Sequence, residues 1–309
     1  MNRPSLDRAS LFILGASLSL ATMAALAHWV GPRCDWLVVA QVRVLMMLAT
    51  SAALATAAGS PLLIFRPPTL WLRSLAGSCS LVCNFYALTR LPVADAVTLM
   101  NVHPLWIVLI SVVILRRWPG RGELVGVACG LAGVVLLERP HLSGDRLAAL
   151  VALLSSVSTA VAMIGLHRLR HLDPRSVVAH FAGVASLISL AWLALRGDLR
   201  SPGLADPTTW LLLVGIGATG TIGQILLTRA YAAGAPARVA VVGLSQVVFA
   251  MGFDVALFGR ALEPASLAGF ALVLAPTTWL SVRSARAVAS GKPEPVEEVA
   301  ELGHPDVEL

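Results

Sequence analysis

Arg43 is the residue whose type is least expected in its surroundings, since it stands beside Gln41 about two turns into a run that is otherwise apolar. A cation near the centre of a bilayer costs roughly 2.5 to 3.5 kcal/mol on insertion scales, so it is kept where it faces a cavity or a partner. The chemistry it offers is attraction of an anionic or carboxylate group. Pairing with backbone carbonyls or with Asp254, or snorkelling outward, is the structural alternative. A second group is Asn101-Val102-His103-Pro104, near the middle of another apolar run. A shift of 143 residues carries it onto Leu244-Ser245-Gln246-Val247, again near mid-run. Proline lacks the N–H of a helical residue, so Pro104 frees a backbone carbonyl beside these side chains. Together Asn101, His103, Ser245 and Gln246 could hydrogen-bond a polar solute at one depth, or serve as interhelical glue. Asn84, Tyr86 and Gln224 are further polar groups for the same cavity. Asp254 and His103 are the groups that could carry a coupling proton, although a lone histidine on an apolar helix is more often structural.

Catalytic chemistry finds no comparable set. Gly215-x-Gly217-x-x-Gly220 spells a dinucleotide fingerprint, but that pattern needs a strand before it and a helix opening at the glycines. Here it sits inside one continuous apolar run, Trp210 to Leu227. Gly15-x-Ser17-x-Ser19 falls short of a nucleophile elbow, and neither HExxH nor CxxC occurs. Cys34, Cys79, Cys83 and Cys129 show no paired metal-ligand spacing. No catalytic residue, metal site or cofactor is expected.

The elements that must position these groups are membrane spans. With 57% hydrophobic and 13% charged residues, a chain of 309 residues has more apolar surface than a soluble domain could bury. The runs are continuously apolar rather than alternating, which excludes a transmembrane barrel. Ten spans are expected, approximately 9–30, 37–57, 75–88, 94–115, 124–137, 147–166, 177–195, 210–227, 239–258 and 266–282, with turn signals such as Pro119-Gly120 and Asp173-Pro174 between them. Net charge +6 in such a chain reports orientation rather than a nucleic-acid partner. Basic residues on the side of the amino terminus, the even-numbered connections and the tail outnumber those opposite by roughly two to one, which places both termini in the cytoplasm. Arg3 and Arg8 before a run ending Ala25-Leu26-Ala27 also fit a signal peptide, but cleavage would spoil the count of ten.

Ten spans divide as five and five. Under the same shift of 143, Gly77 falls on Gly220, Ala87 on Ala230, Ala94 on Ala237, Arg117 on Arg260 and Gly126 on Gly269. Repeats with an odd number of spans lie in opposite orientations, an architecture common in secondary transporters. The fold expected is therefore an all-α integral membrane protein with ten transmembrane helices in two inverted five-helix repeats, residues 1–138 and 139–283. An acidic tail, residues 284–309, is read as disordered. Small residues at Gly126 and Gly130, at Gly215 and Gly223, and at Gly269 are expected to let helices approach closely.

Tyr86-Ala87-Leu88-Thr89-Arg90-Leu91-Pro92-Val93-Ala94-Asp95-Ala96-Val97, followed by Pro104-Leu105-Trp106 and Gly126, resembles the repeat unit of EamA-type transporters of the drug/metabolite transporter superfamily. Ala230-Tyr231-Ala232-Ala233-Gly234-Ala235-Pro236-Ala237-Arg238-Val239-Ala240, with Gly269, resembles its second copy. The resemblance implies a transporter rather than an enzyme. It implies a multi-pass protein of the cell membrane with a small-molecule substrate, the lipid bilayer as surroundings, no nucleic-acid partner, and a homodimer left open. It further implies that spans one to four and six to nine line the cavity while five and ten are scaffold, and that Arg43 matches a second-span arginine common in the family. Two departures stand out. Arg117 and Arg260 occupy a position that is often glutamate, and the first span lacks the embedded glutamate of small multidrug relatives.

Overall fold

A computed structural model describes residues 7–62, 66–91, 93–114, 118–138, 145–196, 202–259, 261 and 263–289. Twelve α-helices are found among them: α1 Arg8–Val30, α2 Trp36–Ala57, α3 Pro68–Arg90, α4 Val93–Met100, α5 His103–Ile114, α6 Arg121–Glu138, α7 Arg146–Arg168, α8 Pro174–Arg196, α9 Pro207–Ala233, α10 Pro236–Gly243, α11 Ser245–Phe258 and α12 Pro264–Ala289. Helices α4 and α5 are two halves of one crossing, as are α10 and α11, so the crossings number ten. Local sequence explains the helix starts. Asp7, Asp35, Asp145 and Asp206 accept backbone N–H groups as N-caps, and Pro68, Pro207 and Pro236 stand at first positions, where no N–H is needed.

Eight crossings are long and apolar enough to span a membrane by composition alone. The other two are α3 and α6. Polar residues along α3, including Arg73, Ser74, Ser78, Ser80 and Asn84, lower its hydropathy. That helix nevertheless starts at Pro68 and is longer than the apolar run suggests. At the other end of the chain α12 continues to Ala289, so the first residues assigned to the tail are helical, and residues 290–309 lie outside the described residues. Arg117 and Arg260 also lie outside them. Leu150, Leu187 and Leu211 are 64%, 70% and 73% exposed on the outer surface, as hydrocarbon-facing side chains are.

Packing exchanges the two repeats. α1 lies on α9 as α7 lies on α3; α2 lies on α9 as α8 lies on α3; α2 meets its equivalent α8, and α6 meets its equivalent α12. This is a pseudo-two-fold arrangement, and five crossings per repeat make equivalent helices antiparallel. Glycines set the closest approaches. A Cβ on Gly133 would lie 2.8 Å from the carbonyl of Gly269, and one on Gly269 would lie 2.9 Å from the carbonyl of Gly133. Gly126 faces Val241 and Leu280, and Gly130 faces Leu244. On α9, Gly215 meets Leu26 and Gly223 meets Leu20 of α1, while Gly217 meets Met46 of α2.

One departure from symmetry matters. On the side of the bundle where α1 begins, α5 packs against α10 through Val108, Ala237 and Val241. On the opposite side α4 and α11, their equivalents, make no comparable contact among the described residues.

Candidate polar site between the repeats

Both broken helices break at the same place in the repeat. α4 ends at Met100, Asn101 and Val102 form a turn, and α5 starts at His103. Pro104 cannot donate to the Met100 carbonyl one turn before it, and the Nδ1 of His103 takes that place at 3.3 Å. A carbonyl only accepts, so Nδ1 carries the hydrogen in this contact. Asn101 Nδ2 donates to Val97 O at 2.9 Å, closing the end of α4. In the second repeat the break falls at Leu244, 143 residues after Asn101, without a proline. There the backbone tightens instead, with Leu244 N donating to Val241 O and Val247 N to Leu244 O. Serines on the first helices of each repeat brace the broken crossings: Ser17 Oγ donates to Gly243 O at 3.3 Å, and Trp106 Nε1 donates to Ser156 Oγ at 2.9 Å.

The polar residues picked out from sequence separate into two groups. Asn101, His103 and Gln246 are half-buried at the breaks, and Ser245 is fully buried with no partner for its hydroxyl. Among the described residues no hydrogen bond joins the Asn101–His103 group to the Ser245–Gln246 pair. Gln224 is buried on α9. Gln41 belongs to an interface. Its Nε2 donates to Ser186 Oγ at 3.0 Å and its Oε1 accepts from Ser189, so both ends of the amide tie α2 to α8. Asn84 likewise accepts from Ser155, within a ladder in which Ser80 meets Ser155 and Thr159 between α3 and α7. Tyr86 packs beside Ala87, Ala148 and Ala152, with the Arg90 guanidinium 5.3 Å from its ring centre. Asp254 is half-buried in the last turn and a half of α11, where its carbonyl accepts from Gly259 N.

Two guanidinium groups remain, those of Arg43 and of Arg73, the latter two residues before the apolar run 75–88. Arg43 is half-buried with its Nε enclosed and unpartnered, and that atom lies 3.1 Å from where a Cβ on Gly220 would be. Arg73 is one turn into α3 and only 1% exposed. Its Nε and Nη1 have no hydrogen-bond partner, and its guanidinium carbon lies 4.0 Å from the centre of the Phe181 ring. Reading Pro68 as a first helical position would have placed Arg73 inside the helix.

Ionic contacts at the two ends of the bundle are unequal. Where α1 begins, Arg238 Nη2 meets Asp7 Oδ2 at 3.1 Å with side chains 9% and 8% exposed. At the other end Arg90 meets Asp145 at 3.8 Å with side chains 57% and 36% exposed. In each case the carboxylate is the N-cap of a repeat's first helix. On the first side Asp173 caps α8 and accepts from Ser60 Oγ at 2.6 Å and Arg175 N at 2.8 Å. Partial burial works to raise its titration point. The hydrogen bonds and the charges of Arg175 and Arg229 outweigh it and hold the carboxyl below its ordinary value.

A pseudo-two-fold between two five-crossing repeats and a discontinuous crossing in each define an all-helical, multi-pass membrane protein. Residues 7–139 and 143–282 each match the EamA-like transporter family. The chain belongs to that family. It is 29% identical over 208 residues to an uncharacterized transporter of Helicobacter pylori strain J99, covering 65% of this chain and 69% of that one. It is 30% identical over 217 residues to the pseudopaline exporter CntI of Pseudomonas aeruginosa strain UCBPP-PA14, covering 69% and 75%. A crystal structure at 22% identity superposes with a TM-score of 0.78 over 92% of this chain and 99% of the other, which shows the shared fold.

Proposed function

We propose that the chain is a secondary transporter of the cytoplasmic membrane that exports a small polar or amphipathic metabolite, amino-acid-like or an organic anion, by alternating access. Both termini face the cytoplasm in this reading. The observation that carries it is the pair of helix breaks at equivalent positions, Asn101–Val102 and Leu244, in a bundle packed shut at α5 and α10 but not at α4 and α11. A two-fold arrangement closed at one end has a second, equivalent arrangement closed at the other, and exchange between them moves a central site from one face to the other. Arg43 biases that site toward anionic or zwitterionic solutes, and the polar groups at the breaks offer it hydrogen bonds. That one relative is named an exporter supports the direction.

Uptake of a labelled panel of amino acids, carboxylates and neutral metabolites into proteoliposomes tests the reading. Flux of at least one class above that of empty vesicles is expected, and none across the panel overturns it. The alternative, a membrane-embedded enzyme or lipid-handling scaffold, would be favoured if cysteines introduced at positions 101 and 246 were reached only by lipid-soluble reagents.

A further inference from the structure

We infer that Arg73 is an anion-recognition residue of the transport route, which takes the carboxylate of the solute in the groove between α3, α7 and α8. This deepens the transporter reading and rests on it. An arginine one turn from a helix start has a low-energy course open to it, which is to snorkel to the membrane surface. Arg73 goes the other way. Helical side chains ordinarily lean toward the N-terminus of their helix, yet its Nη1 reaches to 3.6 Å from where a Cβ on Gly77 would be, one turn further into the helix. Gly165 of α7 makes room for its stem, with a would-be Cβ 3.0 Å from Arg73 Cβ, and Phe181 of α8 covers its face.

The Nε and Nη1 atoms carry three N–H bonds between them, and none has an acceptor. A permanently charged group enclosed in this way is costly unless an anion completes it. Phe181 supplies a ring face but no acceptor in the guanidinium plane. The neighbouring Ser74 Oγ and the His180 Nδ1 are taken up with each other at 2.8 Å. Three N–H donors and a positive charge in one enclosed place match a carboxylate.

The pseudo-two-fold gives an independent reason. Gly77 and Gly220 are equivalent, and they face equivalent grooves, α3 with α8 and α9 with α2. Each groove receives a guanidinium with at least one buried, unpartnered donor, Nε and Nη1 of Arg73 in one and Nε of Arg43 in the other, although the shift of 143 carries Arg43 onto Ser186 and Arg73 onto Ile216. Two unrelated sequence positions thus deliver the same group to symmetry-related places, where a solute carboxylate can be held in turn as the bundle changes side.

The test uses the full chain in a neutral detergent without anionic lipid. Thermal stabilisation is measured with sodium glutamate, aspartate, succinate and citrate, with the matched amides glutamine, asparagine and succinamide, and with sodium chloride. The wild type should be stabilised by at least one carboxylate over its amide and over chloride. Arg73→Met should reduce apparent affinity for that carboxylate by roughly 10- to 100-fold, as expected for charge-assisted hydrogen bonds, with little change for the amide, and Arg73→Lys should keep part of the preference. The unliganded melting temperature of Arg73→Met should hold or rise, because an unpaired buried charge is gone. Unchanged carboxylate preference in Arg73→Met, equal loss for amide and carboxylate, equal stabilisation by chloride, or no carboxylate effect in the wild type would each overturn the inference. Proteoliposome flux of neutral solutes in that case would leave the transporter reading standing. Carboxylate binding lost with Arg73 but no flux of any compound would sink the transporter reading and with it the place of Arg73 on a transport route, leaving a carboxylate-binding site.

Discussion

Replacing Asp7 by asparagine should release the end of the bundle where α1 begins. Asparagine caps a helix as well as aspartate does, so the contact from Ser10 N at 3.2 Å is retained and only the charge opposite Arg238 is lost. Both side chains of the pair are less than a tenth exposed, so the substitution removes a buried negative charge from beside Arg238. Breaking a buried pair costs about 3 to 5 kcal/mol. With about 1.4 kcal/mol per factor of ten, a cost of that size lowers the conformer that contains the pair by up to about 10²- to 4 × 10³-fold relative to one in which Arg238 is wetted. A Val241→Cys reporter, in a chain whose own four cysteines are replaced, measures this through its labelling rate with an impermeant thiol reagent applied from the α1-start side. Asp7→Asn should raise that rate by at least tenfold. Asp145→Asn should leave it within twofold, because the Arg90 pair is long and exposed, and such pairs contribute about 1 kcal/mol or less. Faster unfolding with unchanged labelling, or equal effects of the two substitutions, would refute the reasoning.

Gly133→Ala should lower the melting temperature, since the added methyl meets the Gly269 carbonyl at 2.8 Å and overpacking costs about 1 to 3 kcal/mol. Gly252→Ala, with nothing within 4 Å of the new methyl, should be neutral or slightly stabilising in the same thermal assay. Gln41→Leu should cost about 1 to 3 kcal/mol through its lost partners on α8 while leaving the KM of any transported compound unchanged, as measured in proteoliposomes. Asp173 should make stability acid-sensitive. Its folded carboxyl titrates below the ordinary value of 3.8, so its contribution is present above that pH and is lost as pH falls through the lower folded value. Asp173→Asn should flatten the melting-temperature profile below about pH 4, and an unchanged slope would contradict this.

The ten crossings and their two-fold repetition were legible because hydrophobic run length and a gapless shift are properties of sequence. Pro104 announced the first break. The second, at Leu244, has no proline and was visible only as the shifted image of the first. What sequence could not supply was azimuth. Gln41 and Asn84 have the polarity and depth of cavity residues, but they are turned toward serines on α8 and α7, and nothing in a linear run says which face a residue shares. Arg73 was hidden for a different reason: Pro67-Pro68 reads as a break, so the helix it opens was started a turn and more too late. The kinship of Arg43 and Arg73 was out of reach for the shift altogether, because it joins positions that are not equivalent and becomes visible only through Gly220 and Gly77.

The central claim is that α5 and α10 must part for transport. Val108 and Val241 share the apolar cluster between those helices, so Val108→Cys with Val241→Cys, in a chain without its own cysteines, allows them to be joined by oxidation. Flux in proteoliposomes of whichever panel compound the wild type carries is the measurement. The account predicts that oxidation stops flux and reduction restores it; undiminished flux through the cross-linked protein would contradict it.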